Sequence, residues 1–546
     1  MNDRLHWTSI IKSLSLYLIF FLIMVFIISQ KQNMHVDEVW SYVLANNPGE
    51  QSLKYLLPNG ETIPSAGDFF TRYMEVDPDH RFDYRTVWDN QTGDVHPPFY
   101  YAILHTICSL FPGRWSKWMA ALINIFAALG VLYFFRRLLS HFCDDPVIRT
   151  FLSISWILLA GFLHTVTFFR MYVLPMLFVT AATASLAERS GREAPADPVI
   201  PGNGRIAIRR VTAWLPLWLC IFLGALTHYY CTLYMILLCT IWGIYYLCNR
   251  HFREMTALII TSVTAGFSAV FVFPGMIDHV LHSNHGVSAQ AQLQERAGWF
   301  DRLAAFFRFL NDEVFGGLLG ILALSLLFLM ILHRITDKKT LQESHDAAFH
   351  GVAILLTGIV CGLYFLAVAV MASMKQDRYL FPIYAVLYAT LLCAAYAFLK
   401  RELSSAGARS ALIVLLAVLL SGSAARTSFP FLYRESAPAQ AYADQNPDTD
   451  CILIYGENPW MINSDIYEIM RYASLTTFQK KAVDPERIKD VIGDHSETVI
   501  ILIRVGDEDA LLKQILEFLP QRYDADLLQT FTYGSSYRIR SAPADD

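Results

Sequence analysis

Charge is scarce in this sequence. Aspartate, glutamate, lysine and arginine together make up 17% of its 546 residues, against roughly a quarter in ordinary soluble domains. A chain so poor in charge, 54% hydrophobic and with a mean hydropathy of +0.36, hides its apolar surface in lipid rather than in one core. It has no basic tract able to neutralise a phosphate backbone, which excludes nucleic acid as a partner; the net charge of −5 is small. A disulfide framework is lacking too. Seven of the nine cysteines (Cys143, Cys220, Cys231, Cys239, Cys248, Cys361 and Cys393) lie in or beside apolar runs, where cysteine acts as a small hydrophobe. Only Cys108 and Cys451 fall in segments expected outside the membrane, and no spacing suggests zinc. No small-x-small cleavage site follows the first apolar run, Ile10 to Ser29, so that run reads as a retained helix rather than a signal peptide. There is no internal repeat and no low-complexity segment.

What is present is a series of long apolar stretches, near 10–29, 117–135, 149–168, 172–187, 213–228, 230–248, 255–274, 313–332, 349–371, 379–398 and 411–427. They predict about eleven membrane-spanning helices. A further run, Phe99 to Phe111, is shorter, and the topology turns on it. If it lies along the interface, the N-terminus and every even-numbered loop are cytoplasmic. Those loops carry Arg136 and Arg137; Arg189, Arg192, Arg205, Arg209 and Arg210; Arg250 and Arg253; Arg334, Lys338 and Lys339; and Lys400, Arg401 and Arg409. If the run spans, all these clusters move outside, against the positive-inside rule. An interfacial Phe99–Phe111 is therefore expected.

That choice makes residues 1–428 a membrane domain with a large, acidic outer loop at 30–116 and a second at 275–312, and leaves 429–546 outside as an extracytoplasmic domain. The stretch 191–205 reads as a flexible cytoplasmic loop. In the tail, CILIYG (451–456) and TVIILIRV (498–505) read as buried strands, and DIYEIMRYA and EDALLKQILEFL as helices. The alternation predicts a small α/β layer. It has no glycine-rich phosphate loop, so packing or acceptor docking is its expected role.

The chemically loaded residues gather on the outer side. Asp37 and Glu38 follow the first helix within the amphipathic HVDEVWSYVLAN, which predicts a segment lying flat at the interface. A partly desolvated carboxylate there can serve as a general base; an acidic pair at a helix N-terminus is the plainer reading. His96 sits two residues after Asp94 and is fixed by Pro97 and Pro98; on its own it reads as a turn. Arg170 and Arg378 lie at outer helix ends, where arginine is out of place as a topology signal and either snorkels to headgroups or grips a phosphate bidentately. His228, Tyr229 and Tyr230 cap another outer end, where an aromatic belt explains the tyrosines. His279, His282 and His285 recur every three residues in the second outer loop, the pattern of a metal face on a helix or of ordinary polar loop residues. The topology rests on other residues, yet it places all of these on one face. A site for a lipid-linked phosphate follows.

The ordered set VDEVW, HPPFYY, RMY, THYY and DRYLFP resembles the GT-C membrane glycosyltransferases, with the protein O-mannosyltransferase-like group (glycosyltransferase family 39-like), which includes the aminoarabinose transferase of lipid A, as the nearest branch. The resemblance covers about residues 1–400. It implies a polytopic GT-C fold, an integral protein of a bacterial inner membrane with its site on the extracytoplasmic face, and transfer of a sugar from a polyprenyl-phosphate donor to an extracytoplasmic acceptor. Carried over residue by residue, Asp37 is the base, with Glu38 beside it. Arg378 holds the donor phosphate next to Tyr379, and His96 stands near that phosphate with Asp94. Arg170 and Tyr172, and His228, complete the substrate-binding set. A divalent metal ion is the cofactor to test for, with His279 and His282 as candidate ligands. Val95 occupies a place that is acidic in the aminoarabinose branch, the acid here being Asp94, so the resemblance does not carry the lipid A reaction to this chain. A single clear base, without a second carboxylate placed as a nucleophile, fits one inverting displacement. The alternatives are a transporter, which needs ionisable residues near the bilayer midplane, or a scaffold presenting the C-terminal domain.

Overall fold

The computed structural model describes residues 2–47, 53–190, 204–295, 298–322, 324–325, 345–403, 405–425, 429–493 and 497–541. Most of the expected cytoplasmic loop 191–205, the end of the expected span 313–332, and Arg334, Lys338 and Lys339 lie outside the described residues.

Helix α1 (Asn2–Ser29) is followed by a short turn and the amphipathic α2 (Val36–Asn46). Among the described residues, five helices are long and apolar enough to cross a membrane: Lys117–Phe142, Tyr229–Cys248, Phe252–Val272, Gly351–Met371 and Phe381–Arg401. A sixth span is broken, with Pro146–Ile157 and Ala160–Thr167 meeting at 50° where the sequence predicts one straight helix over 149–168. Leu14–Ser29, Thr212–Ala225 and Ala406–Ser421 are shorter apolar helices. The expected span 172–187 is the helix Val173–Ser190, buried nearly throughout by its neighbours. The helix Phe99–Ser109 has 11 residues. At about 1.5 Å per residue it is half as long as a hydrocarbon core is thick.

The two expected outer loops are helical in conformation. The first holds α2 and three further helices of two turns or more, Ala66–Met74, Tyr84–Gly93 and Phe99–Ser109. The second is built of Met276–Leu281, Asn284–Gln294 and Trp299–Phe315. Phe306, Leu310 and Val314 recur every four residues on one buried stripe of the last, and Gly316, at φ +56°, ends it in the left-handed conformation that costs glycine least.

The tail contributes β2 (Asp450–Tyr455), β3 (Ser474–Gln479), β4 (Glu497–Ile503), β5 (Tyr523–Phe531) and β6 (Gly534–Ser541), which with β1 (Thr62–Ile63) make a six-stranded sheet of order β1-β3-β2-β4-β6-β5 among the described residues. The expected strands are its centre, β2 (Asp450–Tyr455) and β4 (Glu497–Ile503), which run parallel and are buried on both faces. The flanking strands, more polar or half exposed, carry no such apolar signal in the sequence: β3 (Ser474–Gln479), β5 (Tyr523–Phe531) and β6 (Gly534–Ser541). EDALLKQILEFL forms the helix Glu508–Phe518 as expected. DIYEIMRYA does not form one. A 3-10 turn, Pro459–Asp465, runs into the four-residue helix Ile466–Ile469, because Asp465 and Glu468 are drawn into a buried polar knot with Asn33 and Gln529.

The division at residue 429 is one of chain, not of packing. The edge strand β1 (Thr62–Ile63) comes from the first outer loop and pairs antiparallel with β3. Lys31 Nζ donates to Phe431 O at 2.5 Å, Gln32 N to Leu432 O at 2.7 Å, and Asn33 Nδ2 to Ser464 O at 2.8 Å. One apolar core runs from the spanning helices into the lower face of the sheet, with Trp115 edge-on to Tyr467 at 5.4 Å.

Candidate active site

The site begins with the N-terminus of α2. His35 is its N-cap, with Nδ1 accepting from Asp37 N at 3.1 Å, while His35 N donates to Glu38 Oε2 at 2.6 Å. This reciprocal capping box fixes the first turn. It also sets the tautomer: Nδ1 is an acceptor, so the proton of a neutral ring sits on Nε2. Burial pushes the His35 imidazole down to about 4, and Nδ1 faces Asp37 Oδ2 at 3.6 Å without a proton between them.

Asp37 and Glu38, neighbours in sequence, part company in space. Successive residues of a helix point about 100° apart. Asp37 turns into a cavity; Glu38 turns into the protein and is 0% exposed. Its carboxylate is fully employed: Lys31 Nζ lies 3.0 Å from Oε2, and Phe169 N donates to Oε1 at 2.5 Å. Burial raises the Glu38 carboxyl and lowers the Lys31 ammonium, each opposed by the other's charge. Glu38, expected beside Asp37 in the catalytic pair, thus faces away from the cavity that Asp37 enters. It ties α2 to the segment that carries Arg170.

The cavity holds about 910 Å³. Its polar end joins Asp37, Asp94, His96, Arg170, His228 and Arg378, brought from five separate stretches of chain. Arg378 Nη1 donates to Asp37 Oδ2 at 2.6 Å across 341 positions of sequence. Arg170 Nη1 donates to Asp37 O and to Ser41 Oγ, both at 2.8 Å. Burial alone would raise the Asp37 carboxyl, but the charges of Arg170 and Arg378 outweigh it and hold the group well below the usual carboxylate range. Both arginines keep a buried Nε that makes no hydrogen bond, so each has donor capacity left for an anion.

Asp94 Oδ2 and His96 Nδ1 are 3.0 Å apart, and burial lowers the His96 imidazole. Its ring stands 5.9 Å from that of His228, whose Nδ1 caps the helix Tyr229–Cys248 by accepting from Tyr230 N. Tyr172 and Tyr379 complete the wall. The first lies between Phe168, stacked at 5.6 Å, and His228, at 5.2 Å; the second packs against Tyr230 at 4.9 Å. Away from this end the lining becomes apolar, with Leu233, Ile236, Val280, Leu293, Met371 and Met374. A charged head and an oily arm thus share one cavity. Trp460, from the tail, also lines it.

The histidines expected as metal ligands are not brought together. His279 spends Nδ1 on the Tyr229 hydroxyl at 2.7 Å and Nε2 on Thr92 O at 3.2 Å, and His282 is exposed beside Asp278. His285 faces Ser373 Oγ at 2.8 Å. Among the described residues, the group of three or more side chains with metal-binding geometry is instead His164, Glu313 and Asp377. Of its members only Asp377, beside Arg378 in DRYLFP, stands in a motif; nothing in the sequence marks His164 or Glu313.

No protein-family model matches the sequence, and no curated protein is similar to it. Solved structures similar in chain path include ArnT from Cupriavidus metallidurans bound to undecaprenyl phosphate, at 12% identity and a TM-score of 0.45, covering 95% of this chain and 97% of that one. They also include the archaeal oligosaccharyltransferase AglB from Archaeoglobus fulgidus, in complex with an inhibitory peptide and a dolichol-phosphate. It is 10% identical with a TM-score of 0.44, covering 99% of this chain and 75% of that one.

Proposed function

We propose that this chain is a membrane glycosyltransferase that moves a sugar from a polyprenyl-phosphate donor to a hydroxyl acceptor on the extracytoplasmic face, in a bacterial inner membrane. One observation carries the reading: a carboxylate, two buried arginines with unspent donors and an apolar arm share a single cavity. An amphiphile with an anionic head suits that shape. Its phosphate meets Arg378 and Arg170, and its isoprene chain lies along Leu233, Ile236 and Met371 towards lipid.

The reaction is one displacement. The acceptor oxygen attacks the anomeric carbon, the Asp37 carboxylate takes the hydroxyl proton, and the bond from the anomeric carbon to the phosphate oxygen breaks. Polyprenyl phosphate leaves with the electron pair. Attack from the face opposite the phosphate inverts the anomeric centre. The arginines act on charge that grows as the phosphate departs, so they lower the barrier rather than merely tighten binding. The pairing of Asp37 with Arg378 gives a sequence of events. While Arg378 holds it, Asp37 is a weak base. A donor phosphate competes for the guanidinium, and the carboxylate it frees gains basicity as the site fills. Trp460 and the tail face the side from which an acceptor would come.

The test uses the purified full chain in lipid nanodiscs. Undecaprenyl phosphate, the sugar-free leaving group, should bind the wild type, and Arg378→Ala should weaken it at least tenfold. Mass comparison of surface glycans, lipids and proteins after disrupting the chain in its native cell should show one saccharide missing. Unchanged affinity in Arg378→Ala together with unchanged glycans would end the proposal.

A further inference from the structure

We propose that His164, Glu313 and Asp377 form a site for one divalent cation that takes mixed nitrogen and oxygen ligands, such as zinc or manganese. The three come from the helix Ala160–Thr167, the helix Trp299–Phe315 and the 3-10 turn Asp377–Tyr379. Their ligand atoms lie within 4.8 Å of one another, and His164 Nδ1 is 2.8 Å from Glu313 Oε1.

Three further observations point to a cation. Glu313 is 8% exposed, and its second carboxylate oxygen, Oε2, is buried without a hydrogen-bond partner; such an atom carries a desolvation cost until something positive meets it. The cluster also has an excess of negative charge. Two carboxylates face one imidazole, and the neighbouring Arg378 is committed to Asp37. A protonated imidazole would cancel one charge, a divalent ion both. Finally, close approach is built into the backbone. A Cβ on Gly161 would sit 3.0 Å from Glu313 Cβ and 2.7 Å from Tyr384 Cε2, so the absence of a side chain there lets the two helices bring their ligands together.

Two ligands bonded to one ion at about 2.1 Å can be at most about 4.2 Å apart. Binding therefore holds all three ligand atoms to that spacing. Asp377 precedes Arg378, and its Oδ1 accepts from Arg378 N at 2.7 Å. Closing the cluster on Asp377 thus fixes the backbone that presents the phosphate-binding guanidinium. The ion's role is positional, and the site stands independently of the transferase reading.

The experiment measures metal directly. The full chain, stripped with chelator and dialysed against zinc or manganese, is assayed for metal per chain and for melting temperature. The wild type should retain one equivalent and melt several degrees higher with metal. Glu313→Gln and His164→Asn should retain none, and their melting should not respond to metal. His164→Cys, which restores a ligand, should recover zinc binding, which a merely structural role for His164 would not produce. Arg378→Ala and the exposed His282→Ala should keep the full equivalent. No stoichiometric metal in the wild type, an equivalent retained in Glu313→Gln, or no recovery in His164→Cys would overturn the site.

Discussion

Asp37 owes its ionisation to two guanidiniums and its position to a helix cap, and the two can be separated by substitution. Asp37→Asn keeps the size of the side chain but removes the carboxylate proposed as the base. Transfer should fall by about 10²–10⁴-fold, the usual worth of a general base, with the protein still folded; near-normal turnover would remove Asp37 from that role. Arg378→Lys should rescue little of the Arg378→Ala defect in lipid-phosphate affinity, because one ammonium cannot reproduce a planar fork. Glu38 answers differently. Removing it leaves Lys31 buried without its counter-charge and orphans the N–H groups of His35 and Phe169. Glu38→Ala should cost about 3–5 kcal/mol, read as a large drop in melting temperature. A catalytic loss without a stability loss would contradict the positioning role.

At the scale of elements, α2 is one part whose stability responds to pH. The His35 imidazole is at about 4 in the folded protein against 6.5 ordinarily. As pH falls below 6.5 the unfolded chain takes up the proton first, so stability is whole above 6.5, declines as pH falls through the interval to about 4, and is lost in full below it. The gap corresponds to about 3 kcal/mol at most, less for screening, because the side chain is 23% exposed. His35→Asn, which can still cap, should make the fall in melting temperature between pH 6.5 and 4 shallower, the lowered His96 imidazole keeping part of it. Asp37, depressed by its arginines, loses its contribution only at lower pH. An unchanged pH profile in His35→Asn would show that acid sensitivity arises elsewhere. The bent pair Pro146–Ile157 and Ala160–Thr167 makes a second test. Gly161→Ala places a methyl against Tyr384 and Glu313 and should destabilise by about 1–3 kcal/mol through overpacking.

For the whole molecule, the structural consequence is that the tail is part of the site's foundation. It accepts from Lys31 and Gln32, donates β1's partner strand and sends Trp460 into the cavity. A chain truncated at 428 should insert but bind undecaprenyl phosphate poorly, since the turn that aims α2 loses its anchors. Trp460→Ala should leave that binding within about twofold and raise the acceptor KM; a change confined to the lipid phosphate would place Trp460 on the donor side instead.

The sequence by itself determined the membrane character, the two central strands of the tail and the choice of Asp37, His96, Arg170 and Arg378, which line one cavity. These follow from local hydropathy, β-branched runs and the sidedness of lysine and arginine, all of which are written in short stretches of chain. Only the tertiary structure decided that Glu38 turns inward while Asp37 turns to the cavity, because adjacency in sequence does not say which side of a helix meets which neighbour. It also decided that the tail and β1 share a sheet, and that His164 meets Glu313 across 149 positions. Such meetings depend on helix directions and a single glycine's clearance, and no local pattern records them.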